Sequence, residues 1–239
     1  MITVDFNRLD IKPGYRILDV GCGSGRHCCE ASRFKDVTVF GVDINVDDVA
    51  QAKNRLEFHK QVGEHGGGPC CTFVADITSL PFKNDFFDLV ICSEVLEHIP
   101  KQKTAIDEIL RVLKPGKNLV VSVPRFWPER ICWALSKEYY NVTGGHIRIY
   151  RKKKLISLLE SAGSKNWAVH FAHGLHTPYW WLKCLVGPQR EDSNLVNLYH
   201  RVLVWDMMKR PWLTRSLEKI LNPLIGKSLV VYLRREQNA

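Results

Sequence analysis

Short apolar runs rich in Val, Ile and Phe recur along the first half of the chain, at residues 15–20, 37–42, 71–75, 87–92 and 118–123. Their length and β-branched content predict buried strands. The segments between them carry helical spacing over 25–34, 46–59 and 104–113, the last closed by a turn at Lys114, Pro115 and Gly116. Strands alternating with helices predict an α/β fold, a parallel sheet with helices on both faces. Beyond residue 124 the rhythm changes. A helix is predicted over 152–161, closed by Gly163, and a strand over 167–171. A helical stretch runs from about 178 to 221, broken at Gly187, Pro188 and Pro211, and a strand over 228–233 closes the chain.

The first strand runs straight into Gly21, Cys22, Gly23, Ser24 and Gly25, with a helix opening at once. Glycines there let the backbone turn sharply and approach a ligand at a helix N-terminus, on the carboxyl edge of the sheet. A nucleotide-like cofactor is implied. The dinucleotide fingerprint is GxGxxG or GxGxxA, whereas this loop reads GxGxG with Arg26 in the sixth position. Asp19, two residues before the first glycine, suits the ammonium of a methionyl group better than a pyrophosphate. Asp43 ends the second strand, where a carboxylate can accept both ribose hydroxyls. Asp76 follows the third strand, placed to accept from an adenine amino group while Ile44 and Ile77 cover the ring. Any one of the three acids alone could be a cap or a turn residue. All three together favour S-adenosylmethionine.

Composition adds limits. With 45% hydrophobic and 25% charged residues in 239, the chain has ordinary globular content for one domain, 1–239. No apolar run is long enough to span a bilayer, and the first ten residues lack a signal-peptide pattern. A cytoplasmic protein is expected. The eight cysteines form no CxxC pair and read as reduced and mostly buried.

The net charge of +9 is unevenly placed. Residues 1–124 hold 15 Lys and Arg against 17 Asp and Glu, while 125–239 hold 19 against 8 and all seven tryptophans. A near-neutral half followed by a basic, aromatic half predicts a cofactor-binding core, 1–124, joined to a region that selects a partner.

The strings LeuAspValGlyCysGlySerGly, GlyValAspIle, AlaAspIle, PheAspLeuValIleCysSerGluValLeuGluHisIle and LeuArgValLeuLysProGlyLys occur in order. Together they resemble the successive motifs of class I methyltransferases, in the type 11 or UbiE-like branch, over about residues 9–165. Residues 125–235 also resemble those of uncharacterised bacterial members. The resemblance implies a doubly wound, Rossmann-like sheet of seven strands with the last antiparallel, and a helical lid inserted before that strand. It also implies S-adenosylmethionine as cofactor, with S-adenosylhomocysteine as product, and Asp19, Gly21, Cys22, Gly23, Gly25, Asp43, Ile44, Asp76, Ile77 and Ser93 around it. Segments 125–150 and 172–226 become the acceptor-recognition and lid segments.

A general base is needed only for an acceptor that holds its proton at neutral pH. His98 is the first candidate, with Glu94, His146 and Tyr150 near it; His146, Arg148 and Tyr150 are expected over the cofactor mouth. Glu94, Glu97 and His98 resemble the metal-binding residues of quinone-pathway O-methyltransferases. The same string occurs in members without a metal, and none is expected here. His170, His173 and His176 have helical spacing, but Gly174 and Pro178 interrupt any such helix, so no second metal is expected. The basic, aromatic half favours a small or lipid-linked acceptor such as a quinone, isoprenoid, glycolipid or sugar hydroxyl. Contact with an anionic membrane surface comes next. Nucleic acid is not expected, since no recognised module accompanies the basic run 151–154. Two other classes compete: a non-catalytic S-adenosylmethionine-binding scaffold with the same motifs, and a dinucleotide oxidoreductase, against which the GxGxG spacing and Asp19 argue. The sequence leaves oligomeric state open.

Overall fold

The computed structural model describes residues 1–142 and 144–237. Seven strands form one sheet: β1 (Arg16–Val20), β2 (Thr38–Asp43), β3 (Cys70–Val74), β4 (Phe87–Ser93), β5 (Leu113–Pro124), β6 (Ser164–Ala172) and β7 (Ser228–Arg235). Their order is β3-β2-β1-β4-β5-β7-β6. β1 to β5 pair in parallel, whereas β7 runs antiparallel to both β5 and β6. This is a doubly wound, Rossmann-like sheet of seven strands with β7 antiparallel, as the sequence resemblance implied, and the carboxyl ends of β1 to β6 lie along one edge.

The central strands are apolar on both faces because both are covered. All of β4 from Phe87 to Cys92 is buried, as expected of a strand between helical layers. Leu18, Val90, Val121 and Val231 feed one core with helices α3 (Gln102–Val112) and α6 (Lys152–Glu160). Ile17, Val39, Ile91 and Tyr232 feed the other, under α1 (Arg26–Ser32), α2 (Val46–Gln61) and the N-terminal segment. Tyr232 ties that segment down, its hydroxyl accepting from the Asp5 N–H at 2.8 Å.

The expected turn at Lys114 to Gly116 is not a break. The chain passes directly from α3 into β5, because Leu113 already pairs with Phe87 ahead of a register shift. Gly116 takes up the irregularity at φ +75°. Two helices escape the hydrophobic pattern, α4 (Phe126–Leu135) and α5 (Lys137–Tyr140). Between β6 and β7 the expected helical stretch is three helices, α7 (His176–Val186), α8 (Asn194–Lys209) and α9 (Trp212–Ile225). Among the described residues no helix is long and apolar enough to cross a membrane. All eight cysteines are free, and six of them are buried.

Candidate functional site

The glycine loop is held from three sides. Gly21 and Cys22 N–H groups donate to the Val42 carbonyl at 2.8 and 2.9 Å, continuing the sheet past the end of β1. Gly23 N–H donates to Asp43 Oδ2 at 2.8 Å, and Asp43 Oδ1 accepts from Asn45 N–H at 3.0 Å. Gly21 has φ +68°, and a Cβ there would lie 2.3 Å from the Val95 side chain. Gly23, at φ +48°, faces open space. The loop is therefore closed by packing at Gly21 and open at Gly23.

Asp19 lies beneath this loop, 1% exposed. Its Oδ2 accepts from the Cys28 thiol at 3.4 Å, while Oδ1 is buried without a partner. Burial raises the Asp19 carboxyl to about 7, against the Cys28 hydrogen bond and the Arg26 charge. An orphaned buried carboxylate oxygen fits a cationic group arriving from the loop side. Ile44 is 72% exposed beside Asp43, an apolar face available to a ring, whereas Ile77 is buried. Asp76 is exposed, and its Oδ1 accepts from the Thr78 N–H and hydroxyl, both at 2.8 Å. These bonds lower its pKa and make it a turn former as well as a candidate adenine contact.

The turn after β4 carries the second half of the site. Glu94 sits at φ +59°, a costly conformation for a side chain with a Cβ. Its N–H donates to the Ser122 carbonyl at 2.9 Å and its Oε1 accepts from the Ser122 hydroxyl at 2.9 Å, which also meets Ser93 Oγ at 2.8 Å. Burial raises the Glu94 carboxyl, against the pull of Lys227, Ser122 and Ser228. Glu97 is fully buried with both carboxylate oxygens unpartnered, and burial beside Glu94 pushes its pKa well up.

His98 Nδ1 lies 3.1 Å from the Gly145 carbonyl. A carbonyl only accepts, so Nδ1 carries the proton and Nε2 of the neutral ring is left as a base. Burial, and then the nearby His146, lower the His98 pKa and favour that neutral ring. The His146 ring stands 4.9 Å away, with its Nδ1 2.6 Å from Glu129 Oε1. Burial works against ionisation of Glu129, but the His146 hydrogen bond and the Lys227 charge outweigh it and hold that carboxyl low. Lys227 Nζ stands 3.7 Å from Glu129 Oε2. A carboxylate on Nδ1 fixes the imidazole's orientation. Two imidazoles are thus oriented from behind, each through Nδ1.

Glu129, on α4, and Lys227, just before β7, belong to no sequence motif, so neither could be found from the chain alone. Conversely, Tyr150 is not at the mouth. It is buried, with its hydroxyl given to the Leu96 carbonyl and Gln102. Arg148 is likewise withdrawn, donating to the carbonyls of Leu96, Ile99 and Pro100 and so stapling the turn that carries His98. The atoms that come within 4.8 Å of one another as metal ligands are those of Glu97, His98 and His146, and Glu94 is turned away to Ser122.

A second such group joins His173, His176 and Glu218. It is assembled by the turn before α7, the start of α7 and α9, not by helical spacing. His170 instead stacks on Tyr232. An open depression of about 690 Å³ near Gly116, Trp167 and Arg234 lies at the opposite edge of the sheet, away from all these groups.

Residues 18–121 match the family described as a methyltransferase domain. Cycloartenol-C-24-methyltransferase 1 of Oryza sativa subsp. japonica is 33% identical over 143 residues, which are 59% of this chain and 37% of that protein. Methyltransferase GfsG of Streptomyces halstedii is 31% identical over 118 residues, 49% of this chain and 40% of that protein. The chain thus spans well under two thirds of these curated relatives. Among solved structures, an SAM-dependent methyltransferase from Methanosarcina mazei has a TM-score of 0.59 at 18% identity, over 95% of this chain and 94% of that one.

Proposed function

We propose that this chain, whose residues 18–121 match the methyltransferase-domain family, is a class I S-adenosylmethionine-dependent methyltransferase that transfers the methyl group to a small or lipid-linked acceptor. The observation that carries this reading is the contact between the two halves of the site. Val95, in the turn that bears His98, packs against Gly21 of the glycine loop, so the imidazoles stand beside the cofactor cradle.

In this reading Asp43 accepts the ribose hydroxyls with its remaining lone pairs, and the exposed Ile44 covers the adenine, Ile77 being packed into the core. Asp76 accepts the amino group of the ring, and Gly21, Cys22, Gly23 and Gly25 leave room for the backbone to approach. Asp19 neutralises the methionyl ammonium through its unpartnered oxygen. When bound, S-adenosylmethionine supplies an electrophilic methyl carbon on a sulfonium, already activated for transfer. What is left to the protein is alignment, which can lower a barrier by roughly 7 to 11 kcal/mol. His98 Nε2 takes the acceptor's proton, and His146, held by Glu129, shares that task or holds the acceptor. Glu94, Ser93 and Ser122 fix the turn.

Cycloartenol and sterol are the acceptors that several relatives' names give, and the aromatic side chains of α4 and α7 suit an apolar body. Trp127 and Trp181 stand 5.6 Å apart there. The reading includes a cytoplasmic location, supported by eight free cysteines. The test is incubation with S-adenosylmethionine and quinol, isoprenoid, sterol and glycolipid acceptors, following S-adenosylhomocysteine. Acceptor-dependent product supports the reading. Cofactor binding without methylation of any acceptor class would leave a non-catalytic binder.

A further inference from the structure

α9 is built the wrong way round for a helix on the surface of a water-soluble domain. Its apolar side chains Leu213, Leu217, Ile220 and Leu224 recur at three- and four-residue spacing, a single stripe, and all four are exposed, Ile220 at 65%. Its polar face turns inward. Arg215 pairs with Asp206 of α8 and, at 2.8 Å, with Glu218, while Asn222 Oδ1 accepts from the Gly174 N–H at 2.7 Å. No residue of α9 is buried. α8 likewise exposes an apolar row, Leu198, Val202, Trp205 and Met208, although it also buries Val196 and Leu203 beside Asp206. Trp212, 78% exposed, joins the two stripes at the corner between the helices.

The exposed charges carried by α8, α9 and the corner between them have one sign, the exposed acids Glu191 and Asp192 lying just before α8. Among the described residues from 194 to 225, the exposed charged side chains are Arg201, Lys209, Arg210 and Lys219. The two carboxylates of the segment, Asp206 and Glu218, are turned inward onto Arg215. An apolar face of this size is rare on a free monomer. Apolar stripes with Trp at the boundary and a basic rim match the interface of an anionic bilayer, where acyl chains take the stripe and headgroups take the cations.

We propose that α8 and α9 dock this protein on anionic lipid bilayers, lying in the interface with their apolar stripes toward the acyl chains. α9 also borders the carboxyl edge of the sheet, where Arg125 donates to the Asn222 and Leu224 carbonyls at 3.4 and 3.2 Å. Docking through it brings the edge that carries the candidate site near the membrane surface, within reach of a lipid-borne acceptor. The docking itself does not depend on the reaction proposed above, and its test reads no turnover.

The experiment is sedimentation of the full chain with phosphatidylcholine vesicles, alone or mixed with phosphatidylglycerol. Wild type should bind the mixed vesicles and bind neutral ones at least about tenfold more weakly. The double variants Leu213→Ser/Ile220→Ser and Lys209→Glu/Lys219→Glu should each lose about tenfold or more on mixed vesicles, with unchanged circular dichroism. Quenching of wild-type tryptophan fluorescence by brominated lipid needs no variant and should be strong on mixed vesicles. Absence of sedimentation and quenching with wild type overturns the proposal, as does undiminished binding by both variants. If sedimentation velocity finds a dimer that Leu213→Ser/Ile220→Ser dissociates, and no vesicle binding, the face belongs to a second copy and the proposal fails.

Discussion

Asp43 holds a glycine-loop N–H and the Asn45 N–H together, so it shapes the cradle, and in the proposed function it also accepts the ribose hydroxyls. Asp43→Ala should weaken S-adenosylhomocysteine binding at least about tenfold by calorimetry, since a charge-assisted bidentate contact is worth on the order of 1.5 to 3 kcal/mol. Asp19 gives a pH signature. Its carboxyl titrates at about 7, raised by burial, and only the ionised form attracts an ammonium. Affinity for S-adenosylhomocysteine should therefore rise between about pH 6 and 7.5, and Asp19→Asn should flatten that rise. An identical pH profile in the variant would remove Asp19 from the ammonium site. His98→Ala and His146→Ala should each slow turnover while leaving cofactor affinity nearly intact. Turnover equal to wild type in both would remove the imidazoles from the reaction. The acids and glycines of the cradle were legible in the sequence because strand ends and left-handed turns restrict residue type. Glu129 and Lys227 were not, since only tertiary folding brings α4 and the start of β7 to His146.

At the level of elements, the central strands β1, β4 and β5 could be read because strands covered on both faces become apolar runs, whereas β3, at the sheet edge with no buried residue, showed only as a short apolar run. The antiparallel direction of β7 could be expected only from the resemblance, and its place between β5 and β6 was not foreseen, because nothing local in 228–235 encodes its neighbours. α4 was hidden by Pro128 and its aromatic residues, yet proline in a first helical turn costs little because that N–H has no helical partner. The Lys114 to Gly116 segment looked like a turn, but pairing with β4 won over local propensity. The glycine loop offers a graded test. Gly21→Ala meets both a left-handed φ and Val95, while Gly23→Ala meets only the φ. Thermal melting should show Gly21→Ala destabilised by about 2 kcal/mol and Gly23→Ala by about 1. The reverse order would mean that the loop is not packed against the turn after β4.

Over the whole molecule, the proposed reading gives the first half the cofactor, on the sheet edge, and the basic, aromatic second half the part of a lid over that edge. The junction between lid and core holds buried histidines. Burial lowers His176 to about 4, so its neutral form stabilises the fold above the unfolded value of about 6.5, and that contribution is lost as pH falls toward 4. Between pH 7 and 4.5 wild type should lose about 2 kcal/mol more stability than His176→Asn. Equal losses would mean that His176 is solvated in solution. The central claim, that the glycine loop with its three acids is an S-adenosylmethionine site, is tested most directly by calorimetric titration of the purified chain with S-adenosylhomocysteine and, separately, NADH. The account predicts one site per chain for the sulfur compound and no heat of binding for NADH; binding of NADH with none of S-adenosylhomocysteine would contradict it.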